Sequence, residues 1–307
     1  LGSIAEHVWI RFSVSSQTEK ELYLEVIAPL LEKIELYEVV SNASKKLFEG
    51  GMGQPFDARP ITSENWLFDL DVKDGQTHTY YIKGYTFFPF QIPLAVSSKN
   101  EYSEHNQKHN LFWGLYIGVI LFAFIYNFFI YLSVRERKYL YYILYIIGSV
   151  TFYLGLQGYT FQFLWPDQPK LNYFLPVVIC VTNIIITLFT MNFLSITKAR
   201  KWLWYFGVGL ITSFVLSAVL NVIGAYAPSV ASAQMLSMVA CIYFIFAGVS
   251  SYRKGIPSAK YFLIAWTLYL VFTFIYILTI NNIISTNFFT SHCIFIGHMT
   301  EVGLLSF

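Results

Sequence analysis

Apolar and polar residues alternate over short stretches in the first third of the chain. In residues 7–14, Val8, Ile10, Phe12 and Val14 occupy every second position, which predicts a β-strand with one buried face. The same alternation predicts further strands at 22–26, 34–39, 66–72, 77–85 and 91–96. Short strands separated by turn residues predict an antiparallel, jelly-roll-like β sandwich over residues 1–97.

The rest of the chain carries apolar segments of about 20 residues, the length that a helix needs to cross a bilayer. They predict an all-α bundle of seven transmembrane helices in residues 111–307. The spans are predicted at 111–133, 139–158, 172–194, 202–224, 230–250, 261–281 and 289–307. A polar stretch, residues 98–110, links the sandwich to the first span.

Composition supports this division. Hydrophobic residues make up 56% of the chain and charged residues 12%, against about 25% charged residues in soluble proteins. A soluble enzyme is therefore excluded as a description of the whole chain. Residues 1–108 have a net charge of −5 and residues 109–307 a net charge of +7. The sandwich has no basic cluster, so we expect no nucleic-acid partner.

Basic residues alternate between the loops that join the spans. The loops after spans one, three and five hold nine of the ten Lys and Arg residues of this region, and the other loops hold only Lys170. The positive-inside rule then puts the nine in the cytoplasm, with the sandwich outside and the C-terminal end inside. Because the chain begins at Leu1 without Met and ends at Phe307 in an apolar run, we expect sequence beyond both ends.

Motifs along the helical part resemble those of a bacterial receptor family. They are Gly114–Tyr131 in span one, Arg135–Tyr142 after it, Gly158–Pro166 before span three, and His298–Glu301 in the last span. In this order they resemble the seven-transmembrane receptors with diverse intracellular signalling modules.

The N-terminal part also resembles an element of that family. Trp9–Phe12 and Pro29–Tyr37 are similar to the second type of extracellular domain found on these receptors. The resemblance implies a jelly roll related to carbohydrate-binding modules. Such a domain would sense a small molecule or glycan outside the inner membrane of a bacterium.

The resemblance further implies relay through the helices to a cytoplasmic kinase, cyclase or phosphatase, in two-component or cyclic-nucleotide signalling. No such module lies within these residues, so we expect no enzyme activity in them. The bilayer and a second copy of the chain are further expected partners. The alternatives are a transporter, a channel or an accessory membrane subunit. Ionisable residues within the spans are nearly limited to His298 and Glu301, which disfavours ion-coupled transport.

Polar residues within the spans are the candidates for signal transmission. Glu301 is the only acid inside a predicted span, where an ionised group is costly. His298 lies three residues earlier and therefore on the same helix face. We predict that these two residues and Asn127 transmit the signal. The alternative is a neutral Glu301 satisfied by a neighbouring helix, with ordinary interhelical hydrogen bonds at Asn127. Residues 289–307 contain no Lys, which excludes retinal bound as a Schiff base.

Two tryptophans and an arginine are the candidates for ligand binding in the sandwich. Trp9 and Arg11 share the strand face opposite the apolar side. A Trp ring can stack on a sugar, and Arg can donate hydrogen bonds to it. Trp66 is a second candidate of this kind. The alternative for these residues is a role in packing.

A compact set of acids is the candidate metal site. Asp69, Asp71 and Asp74 carry hard oxygen ligands that suit Ca²⁺. The alternative is a solvated edge at a turn. We expect no other cofactor, since the three cysteines lie in apolar stretches without metal-binding spacing.

Overall fold

The computed structural model describes residues 7–15, 21–40, 43–70, 72, 77–88, 92–280 and 283–306. The chain divides into two compact units. The first takes in residues 1–110, 151–176 and 220–231, and the second takes in residues 111–150, 177–219 and 232–307. The first unit thus adds two later segments to the predicted sandwich, an addition that the pattern along the chain does not indicate.

Seven strands form two antiparallel sheets in the first unit. The sheets have the strand orders β1-β6-β3-β4 and β5-β2-β7. The strands are β1 (Val8–Ser15), β2 (Leu22–Val26), β3 (Lys33–Val40), β4 (Ala43–Gly50), β5 (Trp66–Leu70), β6 (Thr77–Tyr85) and β7 (Leu94–Ser98). The antiparallel strands predicted from the alternation are confirmed, except that the last of them, predicted at 91–96, begins at Leu94 and ends at Ser98.

The apolar faces of the two sheets bury one common core, which makes the arrangement a sandwich. Both sheets contribute large side chains to it, including Trp66 from β5 and Tyr80 from β6. On β1, the side chains of Trp9 and Arg11 are exposed, while those of the intervening positions are partly buried. The alternation along β1 therefore predicts its buried face correctly.

Strand β4 was missed in the sequence. Its residues include Lys45 and Lys46, and it lies at the edge of its sheet, where β3 is its one partner among the described strands. Charged residues are typical of edge strands because they oppose further strand pairing. An edge strand of this kind lacks the alternation that marks half-buried strands.

Eight α-helices follow the sheets in the described residues. They are α1 (Lys99–Val134), α2 (Arg137–Leu156), α3 (Tyr159–Phe163), α4 (Leu175–Phe193), α5 (Lys201–Val222), α6 (Tyr226–Arg253), α7 (Ser258–Ile280) and α8 (Phe288–Ser306). A short 3-10 helix, Pro169–Phe174, precedes α4. Among the described helices, six are long and apolar enough to cross a membrane, namely α1, α2, α4, α5, α6 and α7.

The seventh predicted span, residues 289–307, forms α8 but is not one of those six helices. Two histidines, Glu301 and several hydroxyl residues lower its hydropathy. Seven crossings therefore stay a prediction.

The predicted linker, residues 98–110, is helical from Lys99 onward. Ser98 caps this helix, because its hydroxyl accepts the Glu101 N–H at 3.3 Å while the Glu101 carboxylate accepts the Ser98 N–H at 2.9 Å. This reciprocal pair is a capping box. It fixes the start of α1 directly after β7.

Small residues bring helices of the second unit close together. A Cβ added at Gly148 on α2 would lie 2.3 Å from Oγ1 of Thr182 on α4, and one added at Gly297 on α8 would lie 2.7 Å from Cβ of Phe272 on α7. Such contacts are typical of helix packing in membranes.

Candidate functional site

His298 hydrogen-bonds to two other helices of the second unit. Its side chain is buried on α8. The Tyr116 hydroxyl on α1 lies 2.9 Å from Nδ1, and the Ser149 hydroxyl on α2 lies 3.0 Å from Nε2. Ser149 in turn donates to the carbonyl of Ile146 at 3.1 Å. A neutral imidazole protonated at Nε2 satisfies every donor and acceptor in this series of hydrogen bonds.

Glu301 is the second polar group of α8 and is fully buried. The Tyr145 hydroxyl on α2 donates to Oε2 at 2.9 Å. Within the described residues, Oε1 has no hydrogen-bond partner. His298 and Glu301 share a helix face, as predicted, and both bond to α2, at Ser149 and Tyr145. The Oε1 oxygen of the carboxyl group is therefore open to another hydrogen-bond partner.

Asn127 connects α1 to α8. Its amide nitrogen donates to the Ser306 hydroxyl and to the Ala123 carbonyl, both at 2.9 Å. Ser306 donates to the Val302 carbonyl at 2.7 Å. His298, Glu301 and Asn127 are therefore all buried, and each forms a hydrogen bond to a neighbouring helix. Their part in signal transmission stays a prediction.

Trp9 and Arg11 lie on an exposed face of the first sheet. Trp9 is 54% exposed, and its ring lies 5.7 Å from the Tyr37 ring and 5.4 Å from the Lys83 ammonium. The Arg11 guanidinium lies 6.0 Å from the Tyr81 ring. The face thus offers aromatic and cationic groups to solvent, and its ligand role stays a prediction.

Trp66 is buried instead, at 2% exposure. Phe48 packs against its ring at 6.0 Å, and the Arg59 guanidinium lies 4.3 Å from it. Because no face of the ring is open to a ligand, we assign Trp66 to the core and not to a ligand site.

The predicted acidic metal site is only partly within the described residues. Asp69 lies on β5 and is exposed, with the Lys99 ammonium 3.5 Å from its carboxylate. Asp71 and Asp74 lie outside the described residues. Among the residues that are described, no group of three His, Cys, Asp or Glu side chains is arranged to hold a metal ion.

A buried arginine, Arg59, organises the first unit. It donates to the carbonyls of Ser63 at 2.9 Å and Glu64 at 2.7 Å. Its guanidinium also lies 4.7 Å from the Phe56 ring and 5.7 Å from the Phe161 ring on α3. Burial lowers the pKa of Arg59 to about 10, so it stays cationic at neutral pH. The sequence does not point to this centre, because residues 55–65 show no hydrophobic periodicity.

Two buried carboxylates lie beside this centre. Glu64 Oε1 is 3.5 Å from Nδ1 of His109 on α1, and Glu25 accepts a hydrogen bond from the Asn65 amide at 2.8 Å. Burial raises the pKa of Glu25. Burial also acts on Glu64, but hydrogen bonds, chiefly from His109, outweigh it and lower its pKa.

Comparison with known proteins follows the same division of the chain. Residues 109–307 match the family model described as 7TM diverse intracellular signalling. The chain belongs to this family. Residues 1–98 match the model described as 7TMR-DISM extracellular 2, so the sandwich is the extracellular domain of a receptor-type membrane protein. No curated protein and no solved structure matches the chain. The resemblance inferred from the motifs is thereby confirmed.

In this 7TM diverse intracellular signalling protein, the pKa shifts of Glu64 and Glu25 predict opposite effects of pH on stability. The pKa of Glu64 is lowered, so its ionised form stabilises the fold above about pH 4.5, and that contribution is lost as the pH falls through the lowered value. We expect the melting temperature of the intact protein to exceed that of Glu64→Gln at about pH 6, with the difference shrinking toward about pH 3.5.

Glu25→Gln is the paired variant for this experiment. The pKa of Glu25 is raised, so the protein should lose stability relative to Glu25→Gln as the pH rises above about 4.5. If the melting-temperature difference from the intact protein changes with pH in the same direction for both variants, the opposite pKa shifts of Glu64 and Glu25 are wrong.

Proposed function

We propose that this protein is the input part of a bacterial signalling receptor in the inner membrane. The extracellular domain binds a small molecule or glycan. Seven spans, with α8 as the last, relay the change to an output module in the cytoplasm, and the described residues themselves carry out no catalysis. The family match of both parts of the chain supports this proposal.

The observation that carries the proposal is the packing within the first unit. Segments 151–176 and 220–231 belong to the same unit as the sandwich. The Phe161 ring lies 5.7 Å from the Arg59 guanidinium, and the Asn172 amide donates to the Met52 carbonyl at 3.1 Å. These segments contain the ends of four helices, α2, α4, α5 and α6. A rearrangement of the sandwich would therefore act directly on the ends of membrane helices.

The same packing supports the proposed orientation. Loops that pack against an extracellular domain lie on its side of the membrane, and the loops in segments 151–176 and 220–231 hold Lys170 as their only Lys or Arg. The loops with nine basic residues then face the cytoplasm. With seven crossings, the chain after α8 also lies in the cytoplasm.

The bonds of His298, Glu301 and Asn127 are the proposed element that changes between signalling states. They join α8 to α1 and α2, and the free oxygen of Glu301 offers an alternative bonding position. A ligand shifts such an equilibrium only if it prefers one of the two states.

Hydrogen–deuterium exchange on the intact protein in lipid nanodiscs tests the relay. A ligand identified by thermal shift should change exchange both in the sandwich and in α8, Phe288–Ser306. A change confined to the sandwich would contradict the relay. Ligand flux into proteoliposomes would favour the transporter alternative instead.

A further inference from the structure

A cleft of about 330 Å³ opens in the first unit, beside the turn that follows β4. It is lined by Glu32, Lys33, Glu49, Gln54, Tyr85 and Tyr173, together with Gly50 at the end of β4 and Gly51 and Gly53 of the turn. A volume of this size accommodates a small organic molecule, at about 30 Å³ for each displaced water.

Glycines keep the floor of the cleft free of side chains. A Cβ added at Gly51 would lie 1.9 Å from the Glu32 carbonyl oxygen, and one at Gly53 would lie 3.1 Å from the Tyr173 hydroxyl. The turn is held in place by the Met52 N–H, which donates to the Leu31 carbonyl at 2.8 Å. The cleft is therefore a formed feature of the fold.

The basic residues near the cleft are already paired. Lys33 lies 2.8 Å from Glu35 and 3.3 Å from Glu49, and Lys46 lies 2.7 Å from Glu49. Two ammonium groups thus balance these two carboxylates. Lys33 lines the cleft, and its ammonium group is already paired with both carboxylates.

Glu32 carries the remaining charge of the cleft. Burial raises the pKa of its carboxyl group, and the interaction with the Tyr173 hydroxyl, a neutral donor, only partly offsets this. Among the described residues, no cation lies within ion-pairing distance of it. A half-buried carboxylate with only a neutral donor gains most from a ligand that brings a positive charge.

We propose that this cleft binds a small organic ammonium ion. Glu32 is its counter-ion, and the rings of Tyr85 and Tyr173 supply cation–π contacts. A neutral sugar would leave the charge of Glu32 unbalanced. The inference rests on the proposed receptor function and adds a site and a ligand class to it. Tyr173 lies two residues before α4 begins, so the ligand would touch both the sandwich and the segment leading into that helix.

Calorimetric titration of the intact protein tests the site, in phosphatidylglycerol nanodiscs with empty nanodiscs as the blank. The probes are choline, its neutral isostere 3,3-dimethylbutan-1-ol, and glucose. We expect choline to bind about tenfold more tightly than the isostere, and Glu32→Gln to weaken choline about tenfold. Tyr85→Leu should weaken it as well. Glu21→Gln is the matched control, since it removes an equal charge outside the cleft, and it should leave the affinity unchanged.

The outcomes separate the site from the receptor function. Equal affinity for choline and the isostere, binding of glucose without choline, or unchanged affinity in Glu32→Gln would each overturn the site. Choline binding that depends on Glu32 but leaves hydrogen exchange in α4 and α8 unchanged would support the site and contradict the relay. Absence of choline binding would overturn the site and leave the relay to be tested with another ligand.

Discussion

Arg59→Ala should destabilise the intact protein by about 3 kcal/mol, since it removes charged hydrogen bonds from a buried site. The substitution leaves the carbonyls of Ser63 and Glu64 without their donor and opens a space between three aromatic rings. For a chain of this size, the melting temperature should fall by about 6 °C. Differential scanning fluorimetry in detergent micelles measures this shift.

Two further variants separate the causes of this loss. Arg59→Lys keeps the charge but loses the planar group that stacks on the rings, so we expect an intermediate loss. Arg11→Ala removes an exposed arginine from the same unit and should change the melting temperature little. If Arg59→Ala melts at the same temperature as Arg11→Ala, the proposed role of the buried centre is wrong.

His298→Leu should have the second largest effect, at about 2 kcal/mol for two lost hydrogen bonds between helices. The leucine would leave the Tyr116 hydroxyl and the Ser149 hydroxyl without the imidazole that joins them. We expect the substitution to lower the melting temperature and also to abolish the ligand-dependent exchange in α8. A merely structural role would lower stability alone.

Thr300→Val is the control on the same helix, because the Thr300 hydroxyl donates to the Ile296 carbonyl within α8. It should be nearly neutral. A double-mutant cycle with Tyr116→Phe measures the coupling of Tyr116 to His298 directly. Additive effects of the two substitutions would argue against the bond between α1 and α8.

The sequence predicts those parts of the fold in which burial is periodic. Strand β1 is recognised because alternate side chains enter the core, and the membrane helices because their apolar segments are long. Strand β4 is not predicted, because it is a charged edge strand. Its hydrogen bonds to β3 define it as a strand, but it has no buried face and so no alternation in sequence. Arg59 is not predicted either, because residues 55–65 show no hydrophobic periodicity and the Phe161 ring beside it comes from a distant part of the chain.

Glu301 and His298 are predicted from the free energy that it costs to bury a polar group in the membrane, and not from their geometry. An acid or a histidine within an apolar segment needs a compensating partner, so Glu301 and His298 stand out in the sequence. Their partners do not, because Tyr116 and Tyr145 lie more than 150 positions away along the chain. Trp66 shows the opposite failure, since an aromatic residue on a strand has the same pattern whether it is exposed or in the core.

Cysteine labelling in cells tests the central claim, that the sandwich lies outside the cell and the first helix loop inside. Lys45 on β4 and Arg137 at the start of α2 are both exposed. After replacement of the native cysteines, each position is changed to Cys and treated with a membrane-impermeant maleimide in spheroplasts. We expect Lys45→Cys to react in intact spheroplasts and Arg137→Cys to react only after permeabilisation. Labelling of both positions from the same side would contradict the account.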